Sequence, residues 1–161
     1  MLTAVIRADD SPRALAATLS VLIPAVAEGF LGHAVIVDAS GASGIESIAD
    51  STGASFLHAS PAEAWRQGAG VARGEWLLLL DAGDVPQAHW AQAVQRHLLI
   101  APERAALIPL RSAAGALRER AAISFGGRRL RAGLIVPKSD VLAGRLCRAP
   151  QRLPARRERA D

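Results

Sequence analysis

The stretch Ala72-Arg73-Gly74-Glu75-Trp76-Leu77-Leu78-Leu79-Leu80-Asp81-Ala82-Gly83-Asp84-Val85-Pro86 decides how this chain folds. Its apolar run from Glu75 to Leu80 is continuous, with none of the in-out alternation of a half-solvated strand, and so predicts a strand buried on both faces. Strands of that kind belong to parallel sheets covered by helices front and back. The run stops at Asp81, and in open α/β sheets ligands bind outside the carboxyl ends of the strands.

The flanking sequence repeats the same unit. Leu2 to Ile6 is a short apolar run, followed by a helix signalled by Ser11 as cap, Pro12 at the first helical position, and Leu15, Leu19, Leu22 and Ile23 at helical spacing. Ala34 to Val37 is a β-branched run ending at Asp38, then the small polar loop Ser40-Gly41-Ala42-Ser43-Gly44 and a helix from about Ile45 to Ser51. A third strand is expected over Ala54 to His58 and a helix from Pro61 to about Ala72. Beyond the quoted stretch, a helix from Pro86 to about Ile100 and a strand from Ala105 to Leu110 complete a doubly wound pattern. Ala114 to Arg120 reads as helix, Gly126-Gly127 as a turn, Gly133 to Val136 as a strand and Ser139 to Leu142 as a short helix. The expected fold class is α/β: a Rossmann-like, mostly parallel sheet forming one domain over residues 1–149. Residues 150–161, rich in Arg, Ala and Pro, are expected to be a basic, disordered tail.

Composition narrows the function. At 161 residues the chain suits one domain, and with 4% aromatics and no Tyr its core must be aliphatic. A single cysteine excludes an internal disulfide and a multi-cysteine metal site, in keeping with a reducing cytoplasm. The runs Trp76 to Leu80 and Val21 to Ala27 fall far short of the ~20 residues of a membrane span, so a soluble protein is expected. The net charge of +4 is mostly arginine and dense after Arg96. No aromatic interleaving and no nucleic-acid motif accompany it, so an anionic nucleotide fits better than nucleic acid. The basic tail also suits peripheral contact with an anionic membrane, and an apolar helix face left uncovered would make a homodimer.

Three strand-end aspartates, Asp9, Asp38 and Asp81, converge on this reading as candidate ligand contacts. Carboxylates gathered at a strand-end crevice can hold a divalent cation through hard oxygen ligands, and the cation can neutralise a diphosphate. Alternatively, an aspartate after a strand opens a loop or caps a helix. Ser40 and its loop are small enough to approach a phosphate, although the loop lacks a Gly-x-Gly-x-x-Gly spacing and a P-loop lysine. Trp76 is expected in the core, and Trp65 and Trp90 half-buried. His89 with Trp90 is expected in a surface or packing role, with the lining of a ligand pocket as its alternative.

The quoted segment resembles the family 2 glycosyltransferases, which carry an Ala-Arg-Gly-Glu turn, a buried strand and an Asp-x-Asp motif. Val35-Ile36-Val37-Asp38 with its Ser/Gly loop is similar to that family's second strand, and Pro12 to Leu22 resembles the helix after its first. The likeness covers about the first 100 residues and implies a GT-A-like fold. It implies transfer of a sugar from a nucleotide-diphosphate donor to a hydroxyl acceptor, with Asp38 and Ser40 near the nucleoside. Asp81 and Asp84 would then hold Mn²⁺ or Mg²⁺ at the diphosphate, and Arg66 would meet a phosphate. This sequence departs from the family's pattern in carrying Asp38-Ala39 where paired aspartates stand, Gly83 at the third position of Asp-x-Asp, and Trp65-Arg66 where an Arg-Asn pair stands. An inverting transferase needs a carboxylate general base. After Asp84 the acids are Glu103, Glu119, Asp140, Glu158 and Asp161, of which Asp140, after the late strand, is the candidate, with a helix cap as its alternative. These departures motivate a second reading, a catalytically silent member that binds a nucleotide or a protein partner.

Overall fold

The computed structural model describes residues 1–126 and 128–160. Of the expected turn at Gly126-Gly127, Gly126 ends helix α5 (Ala113–Gly126), while Gly127, like Asp161, lies outside the described residues. Four parallel strands form the heart of a seven-stranded sheet: β1 (Leu2–Ala8), β2 (Leu31–Asp38), β3 (Ser55–His58) and β4 (Trp76–Asp81). They lie side by side in the order β3-β2-β1-β4. The chain therefore builds outward from β1 to β3 and then crosses back to place β4 on the other side of β1. That reversal makes the β1–β4 boundary the topological switch point of the sheet.

Strand residues alternate between two aliphatic layers. Ala4, Ile6, Ala8, Ile36, Leu78 and Leu80 face α1 (Pro12–Ala27), α2 (Ile45–Thr52) and α4 (Trp90–Ile100). Val5, Val35, Val37, Leu77 and Leu79 face α3 (Ala64–Val71) and α6 (Lys138–Leu142). With both faces covered, Leu77 through Leu80 are fully buried, which is why the run carries no polar alternation. Ser11 caps α1 as expected, its hydroxyl accepting from the Ala14 N–H at 3.2 Å, with Pro12 opening the helix. Ile23, expected on the buried face, is instead exposed, as Leu15, Leu19 and Leu22 already fill the contact with the sheet. On the other layer α3 lies unusually near its strands. A Cβ on Gly68 would come within 2.4 Å of Val5 Cγ1, so only glycine lets the helix sit there.

Beyond β4 the sheet ceases to be parallel. β7 (Leu134–Pro137) runs antiparallel to β4, with Trp76 opposite Pro137, and β6 (Ala106–Leu107) runs antiparallel to β7. The helix expected from Pro86 begins only at Trp90, because β5 (Asp84–Pro86) intervenes. The tail expected to be disordered is folded. β8 (Gln151–Arg152) adds to the sheet beside β6, and β9 (Arg157–Arg159) pairs antiparallel with β5. Leu153 enters the core and Arg157 is buried, so the tail's order comes from distant partners that its own composition does not reveal. The tryptophans also differ from expectation: Trp65 and Trp90 are buried and Trp76 is only partly so. Trp90 packs tilted on Phe30, ring centroids 6.1 Å apart, as core and not as a pocket wall. Among the described residues no helix is long and apolar enough to cross a membrane.

Candidate functional site at the strand switch point

Register brings the strand-end residues together. Arg7 of β1 stands opposite Asp81 of β4, and Ala8 stands opposite Asp38 of β2, which in turn faces His58 of β3. Arg7, a charged residue inside an apolar strand, needs a partner, and it has two. Its Nε donates to Asp81 Oδ1 at 2.9 Å, Nη2 lies 2.8 Å from the same oxygen, and its guanidinium lies 4.8 Å from the Trp65 ring centroid. Arg7 is thus fixed at the switch point between the edge of β4 and the start of α3.

Asp38 is buried and fully engaged. Its Oδ1 accepts from the Ser40 N–H at 2.9 Å, the Gly41 N–H at 2.9 Å and the Ser40 hydroxyl at 3.1 Å, while Oδ2 lies 3.1 Å from His58 Nδ1. Burial by itself would push this carboxyl up. The Ser40 and Gly41 donors and the nearby His58 outweigh it and hold the group below its ordinary value. The carboxylate therefore shapes the loop from residue 38 to 41 and presents the exposed Ser40; it does not itself project into the crevice.

The Asp81–Asp84 pair is tied down just as firmly. Asp81 Oδ2 lies 3.5 Å from Arg159 Nη1, so this carboxylate carries one guanidinium on each oxygen. Asp84 is fully buried and turns back on the chain, its Oδ2 accepting from the Asp81 N–H at 3.0 Å. Its Oδ1 lies 3.5 Å from Arg157 Nη1 and has no hydrogen bond. Burial, the largest influence, pushes the Asp84 carboxyl up, against the opposing pull of Arg157 and the Asp81 N–H. Arg157 itself donates from Nη2 to Glu119 Oε1 at 2.6 Å and to the Ala132 carbonyl at 2.9 Å.

Between the two acids, Gly83 adopts φ +95°, where only glycine is at ease. Its N–H donates to the Thr18 hydroxyl at 2.9 Å, and its carbonyl accepts from the Ala160 N–H at 2.7 Å. A Cβ built there would meet the Ala160 carbonyl oxygen at 2.8 Å. The donor set does not fit a divalent cation. Gly83 offers no ligand, Asp84 has no oxygen facing solvent, and Asp81 is already neutralised by arginine. Among the described residues no group of three or more His, Cys, Asp or Glu is arranged to hold a metal.

Beside Arg7 opens a cleft of about 360 Å³, lined by Trp65 and Arg66 of α3, Val141 of α6, and Pro61, Glu63 and Arg129 of the flanking loops. Arg66 is exposed and pairs with Glu63 one turn back. Arg7 is matched by Asp81 and Arg66 by Glu63, and Arg129 adds a further guanidinium to the cleft wall. Of the residues expected at the site, Asp38, Ser40, Asp81 and Asp84 lie along the carboxyl edge of the sheet, and Arg66 on the cleft beside it. Asp9 is exposed in the loop after β1. Asp140 follows β7, which reaches the opposite end of β4, and its Oδ2 accepts from the Cys147 N–H at 2.8 Å, closing a local loop; Pro137, not Asp140, occupies the cap position of α6. His89, with φ +67°, precedes α4 and sits beside depressions on the helix flank, apart from this cleft. Sequence reading missed Arg7, Arg129, Arg157 and Glu119. Only Arg7 carried a signal, being a charge within a buried strand.

No protein-family model and no curated protein matches the chain. Solved structures do. Glucosyl-3-phosphoglycerate synthase from Mycobacterium tuberculosis, in complex with Mn²⁺, UDP-glucose and phosphoglyceric acid, aligns with a TM-score of 0.67 at 13% identity, over 86% of this chain and 57% of that one. The same enzyme with Mn²⁺ and UDP-glucose aligns at 0.65 and 14% identity, over 86% and 56%. TarS 1–349 from S. aureus, in complex with UDP, aligns at 0.58 and 12% identity, over 68% of this chain and 35% of that one. The chain spans 35% to 57% of the length of these neighbours. Likeness at this identity establishes the fold, which is that of the GT-A glycosyltransferases.

Proposed function

We propose that this chain binds a nucleotide-diphosphate sugar in the crevice outside the carboxyl ends of β1, β2 and β4 and transfers the sugar to a hydroxyl acceptor. The observation that carries the proposal is the switch-point constellation, Arg7 with Asp81 and the Asp38-shaped loop, in a fold whose neighbours were solved with UDP or UDP-glucose. The nucleoside lies along the β2 edge, where Ser40 and the backbone after Asp38 are presented. The diphosphate faces Arg7 and the cleft lined by Arg66, and the acceptor approaches from the side of α6. In this arrangement the arginines neutralise the phosphate charge that grows on the departing nucleoside diphosphate.

A second reading, binding without transfer, is favoured by one specific observation: the acids that close β2 and β4 and open β5 are all held by other groups of the protein. Asp38, Asp81 and Asp84 are all engaged, and Asp140 closes its own loop. The two readings separate in one experiment. Thermal shifts with UDP, GDP and their sugars identify the base that binds, and NMR of the matching donor with the purified protein follows loss of the anomeric sugar signal. Turnover abolished by Arg7→Ala supports transfer. A thermal shift with no turnover of any donor moves the assignment to the silent binder, and no shift with any nucleotide rejects both.

A further inference from the structure

In a sheet of this kind a cation held by strand-end acids is the ordinary way to neutralise a diphosphate. Here guanidinium groups stand in each place a cation would need. Arg7 and Arg159 take the two oxygens of Asp81, and Arg157 faces the only oxygen of Asp84 not spent on the backbone. The tail that delivers Arg157 and Arg159 also occupies the space where a side chain at position 83 would lie, since the Ala160 carbonyl is 2.8 Å from any Cβ there. Loss of the middle ligand and seating of the arginines are therefore one arrangement, made by the pairing of β9 with β5.

Five guanidinium groups, those of Arg7, Arg66, Arg129, Arg157 and Arg159, stand against four carboxylates, those of Glu63, Asp81, Asp84 and Glu119, which leaves one positive charge over. Arg129 and Arg66 line the cleft next to Arg7, with Glu63 as the acid among the lining residues, and Arg159 is half-exposed at the rim of Asp81. Guanidinium forks suit phosphate oxygens, which they meet two at a time. We infer that this crevice takes the diphosphate of its ligand on Arg7, Arg66, Arg129 and Arg159, and works without a divalent cation. The inference deepens the proposed function and rests on its reading of the ligand as a nucleoside diphosphate.

Isothermal titration with UDP, GDP and inorganic pyrophosphate, each in excess EDTA and again in excess Mn²⁺, tests it. Mn²⁺ electron paramagnetic resonance is recorded alongside to read the metal directly. The expected result is one nucleotide binding equally in both buffers, a free-ion Mn²⁺ signal unchanged by protein, and affinity about tenfold weaker in Arg66→Ala and in Arg129→Ala. Both substitutions are at cleft-wall residues away from the core, so folding is not at stake; circular dichroism confirms it. Binding that requires Mn²⁺, with the ion signal quenched, overturns the inference and leaves the nucleotide-sugar reading intact. Pyrophosphate binding in EDTA that is lost in Arg66→Ala, with no nucleotide bound, supports the arginine site and sinks the nucleotide-sugar reading. Absence of binding by every probe in either buffer overturns both.

Discussion

Replacing Arg157 by Met keeps most of the aliphatic stem and removes the guanidinium from a position that is 4% exposed. Two buried carboxylates then lose their counter-ion: Glu119 Oε1, 2.6 Å from Nη2, and Asp84 Oδ1, 3.5 Å from Nη1. Removing one partner from a buried ion pair costs about 3–5 kcal/mol, because the charge left behind cannot be resolvated. Glu119 keeps the Leu110 N–H on its other oxygen, and the Asp84 contact is long, so the lower end, about 3 kcal/mol, is the expectation. For a chain of this size each kcal/mol lowers the melting temperature by about 2–4 °C, giving a fall of about 6–12 °C. Urea denaturation followed by circular dichroism, with calorimetry beside it, measures both. Adding Glu119→Gln to the variant neutralises the orphaned acid and should recover at least about 1 kcal/mol. Trypsin should also cut the variant faster at Arg159, since the tail loses its anchor. A loss below about 1 kcal/mol, or no recovery in the double variant, would show that Arg157 does not sit between these acids as described.

Gly83→Ala puts a Cβ against the Ala160 carbonyl at φ +95° and should cost about 1–3 kcal/mol in urea denaturation, with the tail loosened toward trypsin; a neutral result would mean the tail does not cross there. Asp38 has its folded pKa lowered, so its stabilisation is present above the ordinary carboxylate value and is lost as pH falls through the folded one. Asp38→Asn should accordingly cost about 1–2 kcal/mol at neutral pH and progressively less below about pH 4, and an equal cost at both pH values contradicts the assignment. Gly68→Ala drives a methyl to within 2.4 Å of Val5 and 3.0 Å of Val37, lifting α3 from the sheet at a cost of about 1–3 kcal/mol. If its melting temperature equals that of the parent, the close helix approach is refuted.

The first half of the fold was legible because its signals are local. Ser11 and Pro12 announce α1, Val35 to Asp38 and Trp76 to Asp81 announce buried strands, and each acts through neighbours a few residues away. The second half is organised by pairings across long separations. Nothing within Gly133 to Val136 tells that β7 runs antiparallel to β4, and nothing within Arg156 to Arg159 tells that it will meet Asp84. Composition misled there in a definite way. A tail of arginines reads as solvated when its charge is counted alone, yet each guanidinium in β9 that matters is matched by an acid more than 35 residues away: Glu119, Asp84 or Asp81. The aspartates were located by their place at strand ends. Their engagement was not legible, because it depends on donors from other elements.

That engagement bears on what the acids at positions 81 and 84 do. In a cation site they would point outward together, and their mutual repulsion would be relieved by the bound ion. Here the repulsion is relieved from within: Arg7 and Arg159 on Asp81, Arg157 and the Asp81 N–H on Asp84. With these partners the pair anchors the tail strand to β5, and the cleft beside Arg7 keeps Arg129 in its wall beyond the Arg66–Glu63 pair. A side chain at position 83 would have to displace Ala160, and moving Ala160 disturbs the β9 strand that carries Arg157 and Arg159. An oxygen ligand at that position and the arginine-filled site are consequently alternatives, and the φ of Gly83 together with the path of residues 157–160 places this chain on the arginine side.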